Sequence, residues 1–173
     1  MKTIINAQLS SEGIQQAVKE IDEWNKQFQK RVSKFTQRLA DEGYNITRVN
    51  LDSVPAEYDP GSVTVTVDST AEGYLTYRAS YYMEGHAAIF IEFGAGVFYN
   101  TGLGSSVHPK GVELGFEIGS WSFGPKGKGL AGNAGWFYGG RYTHGTPTYM
   151  PMYSGAQELA QKIQSIANEV FNG

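Results

Sequence analysis

Three histidines are the first candidates for chemistry in this 173-residue chain, which contains no cysteine. Without cysteine, disulfides, thiolate metal sites and a cysteine nucleophile are all excluded. His86, His108 and His144 lie far apart, and none forms a helical pair with the spacing of a zinc site. We therefore interpret them as turn or interface residues and expect no catalytic residue, no metal site and no cofactor.

Glu92 is the most unusual acidic residue, because it stands inside the apolar run FIEFG. An unpaired charge would be costly there. Glu92 either lies on the less buried face of a strand or is paired with a basic residue; the alternative is that it acts as a general acid. No recognisable motif places a second carboxylate beside it, so we expect a structural role. The expected partners are Arg141 or the backbone donors of the Gly94 to Gly96 turn.

Two glycine-rich stretches resemble phosphate-binding loops only superficially. GAGVFYNTGLG follows a predicted strand, but no apolar-periodic helix comes after it, and a phosphate cradle depends on that helix N-terminus. GPKGKGLAGNAG contains lysines but lacks the spacing and the Ser or Thr of the Walker loop. Phosphate binding by these loops is therefore disfavoured.

The elements that would position these residues begin with a long amphipathic helix over about 11–43. Ser10 or Ser11 can cap its start, and Gly43 stands where a helix commonly ends. Apolar residues recur along it at spacings of three and four: Ile14, Val18, Ile21, Trp24, Phe28, Val32, Phe35 and Leu39.

A sheet region follows over about 62–93, where the pattern changes to a period of two. SVTVTVDS predicts a half-buried strand, Tyr74 to Met83 its antiparallel partner, and Ala87 to Phe93 a third, more buried strand. Residues 94–153 then form glycine and aromatic loops. A second helix is expected over about 154–171, because Ser154 and Gln157 fit a capping box. This order predicts a single α+β domain, with both helices packed on a small, mainly antiparallel sheet and a long Gly/aromatic insert.

Composition and charge exclude several classes of protein. Fourteen basic and 17 acidic residues leave a net charge of −3, which argues against a dedicated nucleic-acid binder. The N-terminus has one lysine and only a short isoleucine pair, so it lacks the apolar region of a signal peptide. We expect a cytoplasmic product.

Three segments of the chain resemble the tail-completion, or head–tail joining, proteins of tailed bacteriophages and of prophages of Gram-positive bacteria. They are FIEFGAGVFYN at 90–100, GWFYGGRYTHGTPTYMPMYSGAQEL at 135–159 and IANEVF at 166–171. In that family a Glu-Phe-Gly-(Thr or Ala)-Gly segment ends a strand, and a Thr-x-Gly-x-Pro segment followed by a Pro-Met or Pro-Phe pair leads into the last helix. The matching residues here are Glu92, Phe93, Gly94, Gly96, Thr143, Gly145, Pro147 and Pro151.

The resemblance implies a virion structural protein of the neck, made in the host cytoplasm and without enzymatic activity. It would assemble as a homo-oligomeric ring at the head–tail junction, between the head connector or stopper and the tail terminator or tail tube. DNA would be only passing cargo, and no membrane would be involved. Two alternatives stay open: a tail terminator that caps the tube, and, from another class, a small carbohydrate- or ligand-binding module.

The segment 136–153, WFYGGRYTHGTPTYMPMY, is the expected assembly surface, because it combines aromatic and methionine anchors with Gly and Pro. The alternative is that it only covers the core of its own subunit. The interface candidates are Trp136, Phe137, Tyr138, Tyr142, Tyr149, Met150 and Met152.

Overall fold

The computed structural model describes residues 10–73, 76–94, 108–110, 136–138, 141–143 and 146–172. Long helices at both ends of the chain and an antiparallel β1–β2 sheet confirm the predicted α+β class. The elements are α1 Ser11–Asp52, two 3₁₀ turns at Ala56–Tyr58 and Pro60–Ser62, β1 Thr64–Gly73, β2 Thr76–Glu84, α2 Ala88–Phe93, β3 Trp136–Tyr138, β4 Arg141–Thr143 and α3 Pro151–Asn172.

The chain divides into two compact units. Unit 1 comprises Met1–Gly43, Val67–Tyr81 and Leu159–Gly173, and unit 2 comprises Tyr44–Thr66 and Tyr82–Glu158. That the whole chain is a single domain stays a prediction. No helix in the described ranges is both long and apolar enough to cross a bilayer.

Helix α1 is longer than predicted. Ser10 caps it as expected, since the Ser10 hydroxyl accepts a hydrogen bond from the Gly13 N–H at 3.1 Å. The helix does not end at Gly43, however, but spans 42 residues and ends at Asp52. A Cβ at Gly43 would overlap the Tyr81 ring. This glycine therefore serves the close approach of β2 and is not a helix stop.

Unit 1 packs the C-terminal part of α3 on α1 through aromatic rings. The Phe171 ring lies 6.1 Å from the Phe28 ring and 5.7 Å from the Phe35 ring, measured between centroids. Arg31 Nη1 donates to the Phe171 carbonyl at 2.6 Å, which satisfies a free carbonyl at the helix end. Arg38 pairs with Glu169 at 2.6 Å on the surface.

Unit 2 has its own hydrophobic core, built from the end of α1, the start of β1 and α2. The buried members are Leu51, Val54, Val63, Val65, Ala87, Ala88 and Ile91. Tyr44, Tyr58, Met83 and Tyr149 pack around them. This core holds α2 in place, and α2 carries Glu92.

The predicted third strand at 87–93 is wrong, because Ala88–Phe93 is an α-helix. A helical period places Ala88, Ile91 and Glu92 on one buried face. The alternation of Ile89 with Ile91 fitted a strand, but Ile89 is 41% exposed while Ile91 is fully buried. A run of six residues is too short for its period to distinguish the two structures.

Two further boundaries differ from the sequence prediction. Helix α3 begins at Pro151 and not at Ser154, since proline fits the first helical position and Ser154 N–H already donates to the Met150 carbonyl. Within the predicted loop region, β3 and β4 pair antiparallel with Trp136 opposite Thr143. The pair Gly139-Gly140 between two aromatic-rich runs is a recognised hairpin signal and could have predicted this ladder.

Candidate functional site

The carboxylate of Glu92 caps the start of α3. Its Oε2 accepts a hydrogen bond from the Met152 N–H and its Oε1 one from the Tyr153 N–H, both at 2.9 Å. These amides belong to the first turn of α3, where backbone donors have no partner within the helix. The positive end of the helix dipole also favours an anion there. Glu92 thus acts as the N-cap of α3, although it is distant from α3 in sequence.

His108 supplies the third contact to this carboxylate. Its Nε2 lies 3.0 Å from Glu92 Oε1, and its Nδ1 accepts the Lys110 backbone N–H at 3.0 Å. Because Nδ1 is an acceptor, the hydrogen-bond pattern assigns the ring proton to Nε2, which donates to Glu92. The imidazole is buried, with its centroid 4.4 Å from the Phe93 ring and 5.0 Å from the Tyr153 ring.

The segment before α3 is tied to α2 by further bonds. Tyr149 N–H donates to the Ile91 carbonyl at 2.9 Å, and the Thr148 hydroxyl donates to the Phe93 carbonyl at 3.1 Å. Gly94 follows with φ 75°, and a Cβ there would collide with Thr148. Glu92 and its neighbours in α2, His108 and residues 148–153 therefore meet in one structural assembly, which we call the Glu92 cap.

The chemistry of the Glu92 cap is that of a structural anion. Both carboxylate oxygens already accept hydrogen bonds, and both Glu92 and His108 are more than nine-tenths buried. This geometry is compatible with the expected structural role. The described partners are His108 and the amides of Met152 and Tyr153, whereas the expected partner side chain of Arg141, and Ala95 and Gly96 of the expected turn, lie outside the described residues. Among the described residues, no three His, Asp or Glu side chains converge in a way that could hold a metal ion.

A cleft of about 620 Å³ opens beside the Glu92 cap in unit 2. Glu92 and His108 contribute to its lining, and Lys110 is exposed. The remaining lining is mostly apolar and includes Met83, Ile89, Phe93 and Met152. A cleft that is mostly apolar with a few polar groups can receive an apolar group of a small ligand or of another protein.

An exposed apolar row on α1 is the second notable surface. Ile14, Val18, Ile21 and Trp24 are 54%, 52%, 49% and 38% exposed. Trp24 stacks on Phe28 at 5.3 Å with the ring planes 5° apart, and Phe28 in turn contacts Phe171. The same helix face is thus covered by α3 near Phe28, whereas no described residue covers it towards Ile14.

The predicted interface residues are divided between different surroundings. Met152 lines the cleft, whereas Tyr149 packs on the unit 2 core with its ring 5.6 Å from Tyr58. Met150 is half-buried with φ 55°. The side chains of the other candidates lie outside the described residues: Trp136, Phe137, Tyr138 and Tyr142.

The remaining motif positions are described only in part. Pro147 is half-buried and Pro151 is buried at the start of α3. Thr143 is described through its backbone in β4, while Gly96 and Gly145 lie outside the described residues. His108, predicted to be a turn or interface residue, is a partner of Glu92 that no local sequence pattern marks.

No protein-family model, no curated protein and no solved structure matches this chain.

Proposed function

We propose that this protein is a structural subunit of the head–tail junction of a tailed bacteriophage, which assembles as a ring between the head connector and the tail. The observation that most supports a subunit role is the exposed apolar row of α1. Ile14, Val18 and Ile21 are each about half exposed on one helix face. Contiguous apolar surface of this kind is typical of a protein that buries it against a partner.

The Glu92 cap supports the same assignment in a different way. Two of the three segments that resemble the tail-completion family, 90–100 and 135–159, make direct contact, through Glu92 with Met152 and through Tyr149 with Ile91. The resemblance thus falls on residues that maintain a fold. A carboxylate with both oxygens engaged is a poor general acid, so a structural protein is favoured over an enzyme.

A closed ring requires two unlike surfaces on each subunit, because each copy contacts its two neighbours differently. The apolar row of α1 and the apolar cleft beside the Glu92 cap are two such surfaces. A tail terminator would need the same pair of surfaces, and it is the alternative within this class.

The test is the mass of the full chain in solution, measured by light scattering over a range of concentrations and followed by negative-stain imaging. We expect a discrete species of several subunits that images as a closed ring. A protein that stays monomeric at every concentration, with and without purified connector protein, would contradict the proposal.

A further inference from the structure

The charge of α1 is strongly segregated along its length. Residues 24–40 contain five basic side chains and no acidic one, in a chain whose net charge is −3. Four of the five lie four residues apart, so they form one row along the helix. The row consists of Lys26, Lys30, Lys34 and Arg38.

The three lysines of this row carry charges that the described structure leaves unmatched. Arg38 is paired with Glu169. Lys26, Lys30 and Lys34 are exposed, and within the described ranges none of their ammonium groups has an ion pair or a hydrogen bond.

The row borders a cleft of about 630 Å³ within unit 1, which Tyr77 of β2 also lines together with Gln29 and Gln37. Ammonium, amide and phenol groups can all donate hydrogen bonds. The cleft therefore presents donors and positive charge.

We propose that the lysine row of α1 binds the phosphodiester backbone of double-stranded DNA. Residues four apart on a helix are separated by about 6 Å along its axis, so the row forms an extended line of positive charge that can contact several phosphates of a duplex. Lysine is a point-charge partner for phosphate and reads no sequence. An acidic protein partner fits less well, because lysine is depleted in the cores of protein interfaces.

Such a contact is compatible with DNA that moves. Phosphate contacts of this kind are independent of sequence and let a protein slide along a duplex. The place of this surface inside a virion conduit rests on the proposed function, whereas the DNA contact itself does not.

The test uses the full chain and a fluorescently labelled DNA duplex of arbitrary sequence, with binding followed by anisotropy between about 25 and about 200 mM NaCl. The row variant is Lys26→Gln/Lys30→Gln/Lys34→Gln. The control variant is Lys19→Gln/Arg48→Gln/Arg78→Gln, which removes the same charge from exposed positions outside the row. Circular dichroism checks that both variants keep their helices.

We expect the row variant to bind at least about tenfold more weakly at low salt, and the control to change by less than about threefold. The slope of log K against log salt should fall in magnitude by about 3 in the row variant alone, one for each phosphate contact. Equal losses in both variants, or no binding by the parent at low salt, would overturn the proposal.

Light scattering of the same samples separates this proposal from the proposed function. If the protein forms rings but does not bind DNA, only the proposed DNA contact is wrong. If it stays monomeric but binds DNA through the lysine row, the DNA contact is supported and the ring is not. If the row variant keeps its DNA affinity but loses self-association, the lysines belong to a protein contact and the DNA proposal is wrong.

Discussion

The Nε2 atom of His108 lies 3.0 Å from the Oε1 atom of Glu92, and both side chains are more than nine-tenths buried. A buried carboxylate without partners would destabilise the fold by several kcal/mol. Here the imidazole and two backbone amides of α3 surround it. Glu92, oriented by His108, therefore fixes the start of α3.

Replacing the carboxylate should weaken this arrangement. We expect Glu92→Gln to lower the free energy of unfolding by about 2 kcal/mol, because a neutral amide keeps the shape but turns one acceptor into a donor facing an N–H. Denaturant titration measures this loss, and hydrogen exchange should show reduced protection at Met152 and Tyr153. The control is Glu84→Gln, an exposed position where a change within about 0.5 kcal/mol is expected. Equal stability of the two variants would contradict the capping role.

The protonation pattern of His108 can be observed directly. Since Nδ1 accepts the Lys110 N–H, we expect two-bond ¹H–¹⁵N NMR spectra to show a neutral ring with its proton on Nε2. His86 is the internal comparison, because its side chain is 65% exposed and its Nε2 lies 3.1 Å from the surface carboxylate of Asp59. A His108 ring protonated on Nδ1 would show that the hydrogen bonds of the Glu92 cap are arranged differently.

We expect Gly43→Ala to destabilise the protein, although a change from glycine to alanine normally stabilises a helix. In a helix interior, the intrinsic helix propensity of alanine is more favourable than that of glycine by about 1 kcal/mol. At this position the added Cβ would overlap Tyr81, so we expect Gly43→Ala to cost about 1 to 2 kcal/mol overall. In a Tyr81→Ala background the sign should reverse, because the ring is gone and only the helix preference remains. A Gly43→Ala effect that is the same in both backgrounds would argue against this close approach.

The apolar row of α1 should control assembly more than stability. We expect Ile14→Gln/Val18→Gln/Ile21→Gln to abolish self-association, since polar side chains would then have to be buried at the contact. Each position is about half exposed in the subunit, so the unfolding free energy should change by only about 0.5 kcal/mol per site.

The matched control for the apolar row is Glu12→Gln/Lys19→Gln/Glu23→Gln on the opposite face of α1. This variant should assemble like the parent. If both triple variants assemble equally well in light scattering, the apolar row is not a subunit contact.

The long elements of the fold could be predicted from the sequence because their patterns extend over many residues. The apolar period of α1 correctly predicts a helix, and the alternation of β1 correctly predicts a strand. Ser10 is also correctly predicted as a helix cap. Gly43 misled the prediction of the α1 end, because glycine can serve close packing as well as helix termination. Only the position of Tyr81 distinguishes the two uses, and that position is a tertiary property.

The Glu92 cap could be predicted only in part. A carboxylate inside an apolar run indicated that Glu92 needs partners. Which partners it has depends on α2 being a helix, since a helix and not a strand buries Glu92 with Ile91. His108 lies 16 residues further along the chain in a segment without periodicity, so no local pattern could connect it to Glu92.

The Glu92 cap also constrains when the protein can fold. Glu92 lies 60 and 61 residues before Met152 and Tyr153, whose amides donate hydrogen bonds to its carboxylate. Contacts at such separation form slowly compared with a local helix turn, because a long loop must close first. During synthesis, α2 leaves the ribosome well before Met152 does. The Glu92 carboxylate therefore lacks its backbone donors until the start of α3 has been made. Unit 2 should therefore acquire its final packing late, when α3 docks.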